Sequence, residues 1–153
     1  VVAVVYVIGL LVVQPETILD TSLVPILGGS TAVTMVLVVL VTAVVAAPAG
    51  LHLTAAIQTV LLMLTVDDRA GVSETVQVLA YATAPCALAW LPSPAVTAGC
   101  ALYGAGLVVV GLAVVHRTTL PRATLAAALP ATLVFGVAYG GLWAGETLLA
   151  MIG

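Results

Sequence analysis

The sequence predicts an all-α, multi-spanning membrane bundle that forms one domain over residues 1–153. Hydrophobic residues make up 63% of the chain and charged residues 6%, a composition that no soluble domain of this size needs. From Thr75 to Val115 there is no Asp, Glu, Lys or Arg. A bilayer core of about 30 Å needs about 20 apolar residues per helix, and lipid admits only structures that pair their own backbone groups. We expect five transmembrane helices.

The first part of the chain predicts one partial span, a loop and one long helix. Val1–Val13 is apolar but too short to cross a membrane, so we expect the native chain to begin upstream of Val1. Gln14–Ser30 contains prolines, glycines and acids, and we expect an exposed loop. As one helix, Val33–Thr65 would rise about 50 Å and would have to be tilted or bent, with Pro48 marking the kink. The alternative is a turn at Pro48, which gives six spans.

A helical hairpin is predicted from Ser73 to Val115. Its arms are separated at Leu91-Pro92-Ser93-Pro94, because Pro92 cannot continue the first helix and Pro94 suits the first turn of the second. Ser93 is expected to cap the second arm, and Ser73 the first. Pro85 removes one helix hydrogen bond, so we expect a bend at Tyr81–Pro85.

The turn of this hairpin sets the relative depths of residues on its two arms. Tyr81 and Gly104 are equally distant from it, both about 17 Å down. Small residues let membrane helices come close together. We therefore expect the ring of Tyr81 to pack near the segment from Gly104 to Gly106.

A short basic link, His116–Arg122, precedes the last predicted span. Pro121 opens this span, and Pro130 is expected to bend it. Glu146 and the tail after it are expected to leave the membrane. Small residues recur at four-residue spacing, a pattern typical of packed membrane helices: Ala123, Ala127 and Ala131, then Gly136 and Gly140, and Gly141 and Gly145.

The cations of the chain predict its orientation. They are three arginines and no lysine: Arg69, Arg117 and Arg122. With five spans all three lie on one side of the membrane, which the positive-inside rule assigns to the cytoplasm. Glu16, Asp20 and Glu146 then face outward.

Residues in and after the hairpin resemble the prokaryotic branch of the Yip family, the Ypt/Rab-interacting membrane proteins. The resemblance covers Ser73 to Leu129. The residues that carry it are Tyr81, Pro85, Tyr103, Gly104, Gly106, Gly111, His116, Arg117 and Arg122. It implies a small, helical, usually five-spanning protein with one long, bent second helix and a cytoplasmic amino end, here in a prokaryotic cytoplasmic membrane. Eukaryotic members bind small GTPases, but their Asp-Leu-Tyr-Gly-Pro motif is absent here, which argues against GTPase binding.

Two polar residues stand out within the apolar runs. His52 is the one ionisable group between Asp20 and Asp67, and with Gln58 it can line a polar path through the membrane. The competing interpretation is a neutral histidine bonded to a backbone carbonyl near Pro48. Asp67-Asp68 indicates a solvated turn rather than a magnesium site. Cys86 and Cys100 are interpreted as small buried hydrophobic residues at similar depths.

The remaining residues form no pattern that indicates catalysis. We find no Ser/His/Asp arrangement, no zinc-ligand spacing and no phosphate loop. The sequence therefore predicts no catalytic residue, no metal, no cofactor and no nucleic-acid partner. We expect a non-enzymatic protein that organises the membrane or binds partners, which are the lipid bilayer, other membrane proteins or a second copy. A small transporter with a path at His52 and Gln58 is the alternative.

Overall fold

The structure is a computed structural model that describes residues 1–19, 30–67 and 69–153, and every regular element in these ranges is helical. The α-helices of this part are α1 (Val2–Val13), α2 (Thr31–Val41), α3 (Ala47–Thr65), α4 (Val72–Ala82), α5 (Pro94–Val115), α6 (Leu120–Ala131) and α7 (Gly141–Ile152). Short 3₁₀ segments lie at Pro15–Thr17 and Ala84–Leu88, and π-helical segments at Thr42–Ala46 and Thr132–Ala138. Asp68 and most of the predicted loop after α1 lie outside the described residues.

The long second helix is observed. Thr31–Thr65 runs without interruption for 35 residues, which is about 50 Å and well above the thickness of a bilayer core. Its π-helical segment, Thr42–Ala46, comes directly before Pro48. Proline lacks the N–H that would bond four residues back, and a wider turn relieves its clash there. Because the helix continues through Pro48, the turn needed for the six-span alternative does not form.

Three of the described helices are long and apolar enough to cross a membrane. They are Thr31–Thr65, Pro94–Val115 and Leu120–Ala138. The two terminal helices, α1 and α7, are apolar but have 12 residues each. A helix of that length rises about 18 Å, which is short of the bilayer core. The count of five spans stays a prediction.

The first arm of the hairpin differs from the prediction. Its N-cap is Gly71, not Ser73. The α-helix stops at Ala82, and the chain continues as the 3₁₀ segment that contains Pro85. The bend expected at Tyr81–Pro85 is therefore a change of helix type, because the proline cannot donate the next α-helical bond. The α-helical part of this arm rises only about 17 Å.

The second arm begins where the sequence places it. Ser93 occupies the N-cap position and Pro94 is the first helical residue. The Ser93 side chain makes no capping bond. Instead its carbonyl oxygen accepts bonds from the N–H and the hydroxyl of Thr97, at 3.1 and 3.3 Å.

The best-buried side chains lie between four helices. α5 packs against α4, α6 and α7, while α3 packs against α4 and α6. We call the almost fully buried residues between α3, α4, α5 and α6 the inner core: Ala55, Gln58, Leu62, Leu79, Val108, Leu112, Ala123, Ala126, Ala127 and Phe135. Alanines from the predicted small-residue stripe face inward here, and they let α6 approach its neighbours closely.

The two arms of the hairpin approach each other closely, as predicted, but the aromatic ring at the contact is not the predicted one. A Cβ added to Gly104 would lie 2.8 Å from Cδ1 of Phe135 and 2.9 Å from the carbonyl oxygen of Ala82. Tyr81 is 77% exposed, so the prediction that its ring packs on Gly104 is wrong. Successive residues of an α-helix point about 100° apart. Ala82 therefore faces α5, and Tyr81 faces outward.

The chain turns sharply after the apolar helix Leu120–Ala138. Pro130 lies inside α6, and the π-helical segment Thr132–Ala138 follows it. Gly140 then adopts a φ of +74°, a left-handed conformation that glycine tolerates best. α7 packs against this π-helical segment and α5. The tail that was predicted to leave the membrane is thus an apolar helix of the bundle, with Glu146 on its exposed side.

Candidate functional site

Two connections of the chain meet at one end of the bundle. The backbone N–H of Ala70, between α3 and α4, donates a hydrogen bond to Nδ1 of His116, which follows α5, at 3.1 Å. Arg69 and Arg117 adjoin these two residues, and Arg122 lies in the first turn of α6. We call residues 69–71, 116–119 and the first turn of α6 the basic end.

His116 is a structural residue of the basic end. Its ring is 1% exposed, and Nε2 lies 3.2 Å from the Thr75 hydroxyl. Because Nδ1 accepts the Ala70 N–H, the neutral ring carries its proton on Nε2 and donates to Thr75. The Thr75 hydroxyl can then donate to the carbonyl oxygen of Gly71, at 3.4 Å. Burial lowers the pKa of His116 most strongly; Glu74 partly opposes this, and Arg69 lowers the pKa further.

Arg117 ends α5 in a left-handed conformation. Its φ is +48°, and its N–H donates to the carbonyl of Val114 at 3.3 Å. The next N–H, that of Thr118, donates to the carbonyl of Ala113 at 3.0 Å. This is a Schellman motif in which arginine stands where glycine is usual. Arg117 and Arg122 are both exposed, so these two arginines, unlike His116, are free to meet a lipid surface.

The structure does not bring His52 and Gln58 together. His52 is exposed, and its Nδ1 lies 2.8 Å from the carbonyl oxygen of Pro48. Gln58 is completely buried, and neither Nε2 nor Oε1 has a hydrogen-bond partner within the described ranges. The two residues lie on different sides of α3. His52 is therefore the carbonyl-bonded histidine of the competing interpretation, and Gln58 is an isolated amide.

The buried face of α3 explains the isolation of Gln58. Thr54 and Thr59 share this face with it. Their hydroxyls bond to carbonyls of their own helix, Gly50 at 2.7 Å and Ala55 at 2.8 Å. α6 presents alanines to this region, and alanine side chains offer no hydrogen bond. The threonine hydroxyls on the same face as Gln58 are thus already paired within their own helix.

The residues of the family resemblance have different surroundings. Gly104 is buried, and Gly111 lies against Val78, whose Cγ1 would be 2.7 Å from an added Cβ. These two glycines bring α5 close to its neighbours. Gly106 has open space around it, and Tyr103 is exposed. Pro85 is half-buried in its 3₁₀ segment.

The opposite end of the bundle contains a cavity of about 490 Å³. We call this end of the bundle the open end. Six parts of the chain line the cavity: α1, the turn after it, the link between α4 and α5, the start of α5, the break before α7, and the start of α7. The lining residues are Tyr6, Leu10, Gln14, Thr17, Ala89, Leu91, Pro92, Ser93, Pro94, Thr97, Tyr139, Gly140 and Trp143. Sequence reasoning missed this site, because ordinary aromatic and polar residues from distant positions form it.

Specific contacts hold the walls of this cavity. The rings of Tyr6 and Tyr139 pack edge to face, with centroids 5.1 Å apart and planes at 66°, a favourable aromatic geometry. Nε2 of Gln14 donates to the carbonyl oxygen of Trp90 at 3.4 Å. The Trp90 indole lies on Gly9, where Cδ1 would be 2.7 Å from an added Cβ. The two Trp90 contacts fix α1 to the hairpin, and the tyrosine pair fixes α1 to the segment before α7.

A smaller cavity of about 320 Å³ lies beside the basic end. Asp67 and Arg69 line it with Thr59 and Met63. Within the described ranges, no three His, Cys, Asp or Glu residues are grouped to hold a metal ion.

The two cysteines are neighbours with free thiols. Sγ of Cys86 lies 4.0 Å from the carbonyl oxygen of Cys100. Cys86 is completely buried, as expected for a small hydrophobic residue.

Comparison of the chain with models of known protein families, with curated proteins and with solved structures gives no match.

Proposed function

We propose that the chain is a multi-pass integral membrane protein of the Yip type, which acts without catalysis by organising the membrane or binding membrane partners. One observation carries this proposal. In the most apolar 18-residue window of Thr31–Thr65, only 6% of the residues are buried inside the bundle. Such a surface is unfavourable in water and is suited to lipid or to another membrane helix.

The exposed surface is concentrated in the first half of this helix. We call Thr31–Ala46 the outer flank. Thr34 is its buried residue. Its large exposed side chains are Val33, Val36, Leu40, Val41, Val44 and Val45. Continuous apolar patches of this kind mark protein or membrane contact sites.

The basic end supports a membrane orientation. Arg69 and Arg117 lie in two connections that contact each other. The exposed Arg122 lies five residues after Arg117 in the sequence. Arginines gathered at one end of an apolar bundle satisfy the positive-inside rule. In the proposed topology this end faces the cytoplasm of a prokaryotic cell.

Photocrosslinking in native membranes tests the proposal. A photoreactive residue replaces Val36 on the outer flank or Leu62, which is completely buried in the same helix. We expect Val36 to give lipid adducts together with a discrete adduct to another membrane protein or a second copy. Leu62 should crosslink only within the chain. A chain released from membranes by alkaline carbonate, or equal crosslinking from the two positions, would contradict the proposal.

The transporter alternative gains nothing from the geometry. It needs His52 and Gln58 along one path, and these side chains lie on different sides of α3.

A further inference from the structure

The cavity at the open end has the dimensions of a binding site. Its volume of about 490 Å³ lies within the range of about 300–1,000 Å³ that is typical of small-molecule pockets. Two contacts hold its walls in place. Gln14 donates a hydrogen bond to the Trp90 carbonyl oxygen, and the Trp90 indole packs on Gly9.

The lining of the cavity combines polar and apolar side chains. Gln14, Thr17 and Ser93 lie at the ends of helices and form a polar rim. Tyr6 lies eight residues before Gln14 along the chain, and its hydroxyl reaches toward Gly140, 3.8 Å from a Cβ added there. Leu10 lines the wall between them. This lining matches a molecule that has a polar head and hydrocarbon.

The electrostatics of the cavity favour an uncharged head. None of the described lining residues is charged at neutral pH, whereas the arginines lie at or beside the basic end. A phosphate group in the cavity would lose water without gaining a cationic partner, which is unfavourable. Tyrosine hydroxyls and the Gln14 amide can both donate and accept hydrogen bonds. They suit the hydroxyl and ester groups of a neutral lipid.

We propose that this cavity binds the glycerol end of an uncharged, hydroxyl-bearing membrane lipid of the diacylglycerol class. The head group lies between Tyr6, Tyr139 and Gln14, and its acyl chains leave past Trp143, which is 62% exposed at the cavity wall. The inference rests on the proposed membrane location and adds to it a site and a ligand class.

Tryptophan fluorescence gives a direct test, because Trp90 and Trp143 are the two tryptophans of the chain. The Trp90→Phe variant is reconstituted in phosphatidylcholine vesicles that contain increasing fractions of diacylglycerol brominated on its acyl chains. Brominated phosphatidylcholine and brominated phosphatidylglycerol serve as neutral bulk and anionic comparisons. We expect saturable quenching of Trp143 by diacylglycerol, at a mole fraction at least fivefold below that of either phospholipid. Equal quenching by the three lipids, or preference for the anionic one, would overturn the inference.

A matched pair of tyrosine variants tests the role of the cavity. Tyr6→Phe removes a cavity hydroxyl and keeps the ring, while Tyr103→Phe makes the same change at an exposed position of α5. One neutral hydrogen bond is worth roughly threefold to tenfold in affinity. We expect Tyr6→Phe to raise the half-saturating fraction by that factor and Tyr103→Phe to leave it unchanged. Equal effects would refute the site.

Two further measurements keep the outcome unambiguous. In the chain with both tryptophans, we expect the diacylglycerol-specific quenching to persist. In Trp143→Phe we expect this quenching to disappear. Diacylglycerol-specific quenching that persists in Trp143→Phe would overturn the assignment of the lipid to the cavity. Brominated phosphatidylcholine should quench every membrane-inserted variant. Failure of all three lipids to quench would contradict the membrane location itself, which separates that failure from a wrong ligand class.

Discussion

The inner core and the outer flank are similarly apolar in sequence and very different in structure. Leu62, in the inner core, is completely buried, whereas Leu40, in the outer flank of the same long helix, is 54% exposed. Hydropathy therefore does not decide which surface packs against protein, because lipid is as apolar as leucine. The buried half packs against α4 and α6, and α6 contributes buried alanines. Close approach of backbones, not hydrophobicity, distinguishes the two regions.

The largest expected effect compares these two leucines directly. Leu62→Ala leaves a cavity between packed helices and should reduce the free energy of unfolding by about 2–5 kcal/mol. Leu40→Ala removes the same atoms from a lipid-facing surface and should cost less than about 1 kcal/mol. Denaturation in mixed micelles measures both. Equal losses would show that the outer flank is covered by protein of its own chain.

A second pair tests the close approach at Gly104. Gly104→Ala places a methyl group against the Phe135 ring and the Ala82 carbonyl, and overpacking of this kind costs about 1–3 kcal/mol. Gly106 lies two residues on with open space around it. Gly106→Ala should be neutral or slightly stabilising, since alanine is the better helix former. A tolerated Gly104→Ala, measured by the same denaturation, would refute the packing of α5 described above.

The inner core also contains a polar residue whose replacement should increase the stability of the bundle. Gln58→Leu replaces a buried amide that has no partner in the described part of the chain with an apolar group of similar length. Relief of the desolvation penalty should stabilise the bundle by about 1–3 kcal/mol. The exposed Gln77 on α4 provides the control. Gln77→Leu should change stability by less than about 0.5 kcal/mol. A loss of stability in Gln58→Leu would show that the amide has a partner.

The smallest expected effect is a pH dependence of the free energy of unfolding, which His116 causes at the basic end. The pKa of His116 is lowered in the folded protein, so its contribution is complete above the unfolded value of 6.5 and is lost as pH falls below it. Protonation also breaks the bond from the Ala70 N–H. Unfolding followed between about pH 7.5 and 5 should show this loss. His116→Gln should flatten the dependence, and His52→Gln, at an exposed position, should preserve it; the reverse pattern would contradict the assignment.

The sequence was sufficient for features that depend on local signals. Composition predicted helices of membrane type. The residues around Pro48 left a bent helix and a turn open, and the family resemblance favoured the continuous helix that is observed. Ser93 and Pro94 marked the start of α5 because capping and proline geometry act within one turn.

Features that depend on helix rotation were not predictable. α5 is apolar around its whole circumference, so periodicity does not tell which side faces α4. Depth alone paired Gly104 with Tyr81, whereas rotation selects Ala82 and a ring from Phe135. The burial of His116 and the cavity at the open end arise from contacts between distant parts of the chain, for which the sequence carries no local signal.

The central claim is that apolar helices cross lipid with the basic connections on one side. Single cysteines at Asp67, Thr119 or Glu16, all exposed, in a chain with Cys86→Ala and Cys100→Ala, test it by labelling with a membrane-impermeant maleimide in sealed vesicles. We expect the cysteines at positions 67 and 119 to be labelled from the same face and the cysteine at position 16 from the other. Labelling of positions 67 and 119 from opposite faces would contradict the account.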